Sequence, residues 1–200
     1  MRINESTVLV GEKVVLIPYR KEHVLTYHEW MKDEQIQQQT ASEPLSLEEE
    51  YDMQRTWHTD DDKLTFIVLA RQKDRIGISD NDINNVLTTS SMAGDVNLFV
   101  SERHIETEGE APLDAELEVM IAEPEHRRKG LGKEALKLLM HYACNTQTPT
   151  QSTAKYPLPL PKDAFVAKVG LSNAPSRTLF EGLNFKEVGR SEIWKEAELR

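Results

Sequence analysis

Apolar residues fall in short runs along the chain, and the period of each run indicates its element. "KVVLIPYR" (Lys13–Arg20) is rich in β-branched residues and predicts a strand. Over Lys21 to about Lys32, Val24, Tyr27, Trp30 and Met31 recur at helical spacing. "SLEEEYDMQRTW" (Ser46–Trp57) opens on Ser46, with Glu49 three residues on. That is a capping box, each side chain taking up the other's free backbone N–H, and it predicts a second helix. "KLTFIVLA" (Lys63–Ala70) predicts a buried strand, "GDVNLFV" (Gly94–Val100) another, and "AELEVMIA" (Ala115–Ala122) a third that Pro124 ends. Leu131, Ala135, Leu138, Leu139 and Tyr142 then mark one helical face. "AFVAKVG" (Ala164–Gly170) predicts a strand, Pro175–Glu181 a short helix with Pro175 in its first turn, and Gly182–Phe185 a turn. The remainder, to Trp194 and beyond, predicts one or two strands.

Polar stretches separate these runs. Arg71 to about Ser91 predicts an excursion with "DNDINN" as loop, Glu102–Asp114 an acidic insertion, and Cys144–Asp163 a long excursion rich in Thr, Gln and Pro. The order β-α-α-β-β-β-α-β-α-β(-β) sets hairpin neighbours beside a βαβ unit. It predicts one α/β (α+β) domain over residues 1–200 with a mixed sheet and no internal repeat.

With 200 residues and 38% hydrophobic content, the chain can bury one core. Its net charge of -10 disfavours a duplex nucleic-acid binder and suits a basic partner such as an amine. The single cysteine, Cys144, excludes a disulfide framework and a Cys-rich zinc site. The six histidines lack metal spacing, so no metal is expected. The start, "MRINESTVLVGEKVVLIPYR", is too polar for a signal, and the apolar runs are strand-sized. No membrane span is expected; the cytoplasm is the expected location and the nucleus the alternative.

Against this acidity one segment stands out. Glu102 to Glu125 carries nine acids and one base, Arg103, whereas the next eight residues, His126–Lys133, carry four bases and no acid. The switch falls where a helix begins after a strand. A helix N-terminus presents free N–H groups and partial positive charge, and Gly130 and Gly132 let the backbone come close to a ligand. The expected ligand is a phosphate or pyrophosphate. A P-loop fails, because Glu134 follows Gly132-Lys133 and Arg127 sits where its first glycine belongs. A dinucleotide fingerprint fits "GLGKEA" only as letters, since "EPEHRRKG" separates the strand from Gly130 and no acid closes a strand downstream.

"RRKGLG" (Arg127–Gly132) does satisfy Arg/Gln-x-x-Gly-x-Gly/Ala, the pyrophosphate loop of the GNAT N-acetyltransferases. "ELEVMIAEPEHRRKGLGKEALKLL" resembles that family's motif A, and "AFVAKVGLSNAPSRTLFEGLNF" resembles its following strand, helix start and turn. "SEPLSLEEEYDMQRTW" and "GDVNLF" are similar to the branch holding the ribosomal-protein acetyltransferases. The resemblance covers nearly the whole chain. It implies a mixed, mostly antiparallel, splayed sheet of about six or seven strands flanked by about four helices. It implies acetyl-CoA as cofactor, CoA as product, and direct attack of a protein or peptide amine on the thioester. Arg127, Arg128, Lys129, Gly130, Leu131, Gly132 and Lys133 would hold the pyrophosphate. Met120, Ile121 and Ala122 hold the places where a splayed strand pairs with the pantetheine arm, and an N–H there would stabilise the developing oxyanion. A related branch is linked to microtubules, which brings in tubulin as a partner that the residues themselves do not show.

The amine must be neutral to attack, so a base or water path takes its proton. Glu116 and Glu118 lie two apart on a strand and share a face, with Glu118 nearer the thioester. Glu118 is the candidate base; the plainer reading makes both acids solvent-facing. Where many GNAT enzymes supply a tyrosine acid the chain has Phe180, which puts that mechanism in doubt. Ser176 is the substitute, though it also suits a helix start, and Asn173 fits either a cofactor contact or an N-cap. Asp95 and Asn97, also two apart, could face the acceptor, while Trp30, Tyr51 and Trp57 either wall the acceptor site or belong to the core. Phe180 and the long excursions leave a rival reading, a GNAT-fold binding protein that acts through a partner with weak or no catalysis.

Overall fold

The computed structural model of the chain describes residues 2–72, 82–103, 111–149 and 154–200. The parts of the three predicted excursions at 73–81, 104–110 and 150–153 lie outside the described residues. The described strands are β1 (Leu9–Val10), β2 (Val14–Pro18), β3 (Lys63–Ala70), β4 (Ser91–Glu102), β5 (Leu113–Ile121), β6 (Phe165–Gly170), β7 (Glu187–Ser191) and β8 (Glu196–Leu199). The helices are α1 (Val24–Trp30), α2 (Glu34–Thr40), α3 (Leu47–Thr59), α4 (Ile83–Thr89), α5 (Leu131–Asn145) and α6 (Ala174–Glu181). One sheet in the order β1-β2-β3-β4-β5-β6-β8-β7 joins all eight strands, antiparallel throughout except for β5 beside β6.

The fold class agrees with the sequence reading, and the differences are short elements. The loop read at "DNDINN" ends in α4, whose N-cap is Asp82, its side chain accepting from the Asn84 N–H. The helix α2 carries one buried apolar residue, Ile36, and rests on its Asp33 cap rather than on an apolar stripe. β4 and β5 run into the expected acidic insertion, where Ser101 pairs with Asp114 and Glu102 with Leu113. The capping box at Ser46 and Glu49 starts α3 as expected.

Each sheet face covers its own core. Leu16, Phe66, Leu98, Leu117, Leu136 and Leu139 pack between sheet and α5. Val15, Tyr19, Tyr27, Trp30, Ile67 and Met120 pack beneath α1 to α3. Among the described residues no helix is long and apolar enough to cross a membrane.

The site is set by a break in the sheet. β5 and β6 pair only at Ala115–Phe165 and Glu116–Val166, after which they part. From Leu117 to Ile121, β5 is held by β4 alone. On β4 the register shifts opposite Val68 and Leu69, leaving Ala93 as an extra residue. The Ala93 carbonyl accepts from both the Ala122 and Glu123 N–H groups, at 2.8 and 3.2 Å. Beside it, a Cβ on Gly94 would lie 1.8 Å from the Met120 carbonyl oxygen, so only glycine allows the two strands to close there.

Candidate active site

The basic loop follows the free end of β5. Arg127 turns its guanidinium back on the strand, Nε donating to the Ile121 carbonyl at 2.9 Å and Nη2 to that of Ala122 at 2.7 Å. Its first role is to cap the strand end that lacks a β6 partner. Arg128 then takes φ 62° and Gly130, the N-cap of α5, φ 85°. Left-handed residues in such a turn make successive N–H groups converge, here ahead of the positive end of α5. The loop is also held from outside: the Lys13 Nζ donates to the Lys129 carbonyl at 3.0 Å. Glu134, the residue that rules out a P-loop, accepts from the backbone N–H groups of Glu12 and Lys13 in the turn between β1 and β2.

A cavity of about 550 Å³ opens in front of this loop, lined among others by Ile121, Arg127, Arg128, Gly130, Leu131 and Lys133. A Cβ on Gly132 would meet Val119 and Leu179 at 3.6 Å, ordinary contact, which explains why the motif admits alanine there. A second cavity of about 400 Å³ lies on the other side of β5. Gln39, Thr40, Val119, Met120, Asn173 and Ser176 wall both, so the two halves form one cleft running through the gap between β5 and β6.

Carboxylates dominate the second half. Asp95, Glu116, Glu118 and Glu196 line it against Lys168 and Lys195. Glu116 is neutralised by Lys168 at 2.6 Å. Glu118 has no such partner among the described residues, and its side chain is exposed along the open cleft. Lost hydration, then the neighbouring charges of Glu116 and Asp95, push it up to about 7, with Lys168 pulling the other way. Glu118 stands opposite Asn97, which stands opposite Thr65, one polar row across three strands.

Asp95, 2% exposed, accepts from Tyr27 Oη at 3.2 Å and from Asn97 Nδ2 at 2.8 Å. Burial pushes its carboxyl up to about 6, against those two hydrogen bonds. The same burial and the Asp95 charge hold the Tyr27 hydroxyl well above its usual range.

Most of the sequence-derived candidates come together here. Met120 and Ser176 sit at the junction of the two halves, and Ile121, Arg127, Arg128, Gly130, Leu131, Gly132 and Lys133 line the first. Lys129 and Ala122 do not line it; each contributes a carbonyl to a supporting bond instead. Asn173 lines both halves and is also the N-cap of α6, accepting from the Ser176 N–H at 3.1 Å. The Ser176 hydroxyl makes no hydrogen bond among the described residues. Phe180 is buried against Phe185 and reaches the second half, not the first. Trp57 walls the second half, whereas Trp30 donates to Glu123 at 2.7 Å and clamps α1 to the end of β5. Tyr27, Lys168, Gln39 and Trp194 line the cleft without having been singled out for it. Tyr27 stood in the helical pattern, and its polar use needed a partner 68 residues away.

Residues 13–186 match the acetyltransferase (GNAT) domain family. A protein of Mus musculus called alpha/beta-tubulin-N-acetyltransferase 9 is 45% identical over 100% of this chain and 73% of its own. An N-acetyltransferase 9-like protein of Dictyostelium discoideum is 43% identical over 98% of this chain and 85% of its own. Among solved structures, spermidine N-acetyltransferase from Vibrio cholerae, in complex with CoA and spermine, superposes with a TM-score of 0.64 at 17% identity, covering 95% of this chain and 94% of that one. The ribosomal L7/L12 alpha-N-protein acetyltransferase in complex with coenzyme A superposes at 0.62 with 15% identity, covering 96% of each chain.

Proposed function

The chain belongs to the GNAT acetyltransferase family, and on that premise we propose that it carries acetyl from acetyl-CoA to a primary amine of a polypeptide, with tubulin the first acceptor to test. The observation that supports this most is the single cleft with an anion cradle at one end and an unneutralised carboxylate at the other. Bound acetyl-CoA supplies an activated acetyl group. The residues of the chain do the rest.

The cradle fits a diphosphate on its own geometry, because two left-handed residues and a helix N-terminus gather backbone N–H groups in front of the cavity. Arg128 and Lys133 add charge at its wall. The edge of β5 at Met120 and Ile121, unpaired on the β6 side, is the place where backbone groups meet the extended arm of the cofactor. Glu118 takes the proton from the acceptor ammonium, since the amine attacks only when neutral. The position of Ser176 at the junction and its unengaged hydroxyl support its role as the proton donor to the departing sulfur.

The acidic second half suits a cationic amine. Its rim suits a polypeptide: Ile193 and Trp194 on the β7–β8 turn are 86% and 76% exposed, and Trp194 also lines the cavity. Relatives carrying tubulin in their names point the same way, and a tubulin acceptor would place the reaction in the cytoplasm. The test is acetyl transfer from labelled acetyl-CoA, compared among tubulin, peptides with free N-termini, lysine peptides and spermidine. Label on a polypeptide amine is expected; transfer to spermidine alone, or none from protein that binds CoA, overturns the reading.

A further inference from the structure

Five buried side-chain polar atoms among the described residues have no hydrogen-bond partner: Tyr19 Oη, His28 Nδ1, Glu50 Oε2, Thr65 Oγ1 and Asn97 Oδ1. Folded proteins leave few such atoms, and chance would scatter them. Here all five fall in one layer, between the sheet face that carries Glu118 and the helices α1 and α3.

The members follow one another through the layer, with gaps where hydrogen bonds are lacking. Glu118 stands beside Asn97, and Asn97 and Tyr27 both donate to Asp95. The ring of Tyr27 lies 5.1 Å from that of Tyr19. Glu50, 1% exposed on α3, bears on both tyrosines electrostatically, and its Oε1 lies 3.8 Å from His28 Nδ1. His28 reaches the surface, its side chain 16% exposed. Tyr19 and Thr65 line a cavity of about 10 Å³, about the room one water needs.

The carboxyls and the His28 ring can take up and release a proton, whereas Tyr27 and Tyr19, whose hydroxyls burial keeps protonated, can only relay one. Resting on the reading of Glu118 as base, we propose that the layer conducts the proton stripped from the acceptor amine from Glu118, through Asp95, Tyr27, Tyr19 and Glu50, to His28 and out to solvent on the helical side. At the cleft an N–H bond of the ammonium breaks as the Glu118 O–H forms. That proton passes to Asp95. Tyr27, whose O–H is donated to Asp95 at 3.2 Å, first turns it toward Tyr19; each tyrosine then takes a proton on oxygen while releasing its own, with water bridging the gaps. Glu50 receives the proton, and the His28 ring hands it to bulk water. One proton leaves per turnover and no electron pair is transferred to or from a redox partner. Asp95 at about 6 lies close enough to Glu118 at about 7 for the first step to run either way.

The decisive variant is Tyr19→Phe. Its hydroxyl makes no hydrogen bond among the described residues, so a purely structural role predicts unchanged turnover and equal or greater stability. Conduction predicts that kcat falls, by up to about a hundredfold, with KM for both substrates and CoA affinity unchanged. His28→Gln should act alike and recover with added imidazole, with a changed solvent deuterium isotope effect. If Tyr19→Phe and His28→Gln both keep wild-type kcat in dilute buffer, the proposal is wrong. Glu118→Gln separates the two readings: wild-type turnover in that variant removes the base assignment, whereas lost turnover with unaffected Tyr19→Phe and His28→Gln removes only the conduction.

Discussion

Replacing Asp95 with Asn should flatten the dependence of stability on pH. The carboxyl is 2% exposed and rises from its usual 3.8 to about 6 in the fold. A carboxyl that holds its proton more tightly when folded stabilises the protein at low pH, and that contribution is lost as pH climbs through the folded value. At about 1.4 kcal/mol per tenfold change in affinity, the full difference is about 3 kcal/mol. Most of it lies between pH 3 and 6, and about 1.4 kcal/mol is lost between pH 5 and pH 8. In a chain of 200 residues that is a fall in Tm of about 4 °C. Glu118 and Glu50, also raised, add to the wild-type loss in the same direction, and removing the Asp95 charge lowers Glu118 as well. An amide at position 95 still offers an oxygen to Tyr27 and Asn97. The assay is thermal unfolding of wild type and Asp95→Asn at pH 5 and pH 8. Wild type should lose about 4 °C more than the variant. Equal losses would mean that Asp95 titrates normally and that its burial is not what shifts it.

Gly130→Val should abolish CoA binding in isothermal titration with the fold retained, because φ 85° excludes a branched side chain, while Gly132→Ala should bind nearly as wild type. Glu118→Gln should lower kcat by about 10²- to 10⁴-fold with little change in CoA affinity, and the wild-type rate should rise with pH through about 7 as the carboxyl ionises. Glu134→Ala should cost about 1–3 kcal/mol in urea unfolding, since two backbone N–H groups of the β1–β2 turn lose their acceptor.

Periodicity and caps made the long elements legible. The capping box at Ser46, the face Leu131–Tyr142 and the run Lys63–Ala70 each carry their own signal within a dozen residues or so. Elements that depend on a neighbour were not legible. "EQIQQQT" has one apolar residue and helps wall the cleft through position, and "EVGRS" is strand only because β8 pairs with it. At the site, the anion loop was readable because its glycines and cations are contiguous. The shared face of Asp95 and Asn97 followed from their spacing, but the pairing with Tyr27 and the layer behind it join residues distant in sequence. The departure at Phe180 puts a tyrosine acid in doubt and is one ground for the rival reading with weak or no catalysis; its ring makes a hydrophobic contact with Phe185 at the edge of the cleft.

The ties between Glu134, Lys13 and the loop at Lys129 couple the chain's first hairpin to the shape of the nucleotide end of the cleft. Whatever binds that loop therefore binds a surface braced by Glu12 and Lys13, and by mass action part of the ligand's affinity is shared with the hairpin that carries them. Amide hydrogens of β1 and β2 should then exchange more slowly once CoA is present, although neither strand touches the reacting atoms. The hairpin at one edge of the sheet would thus report on occupancy of a site it does not line.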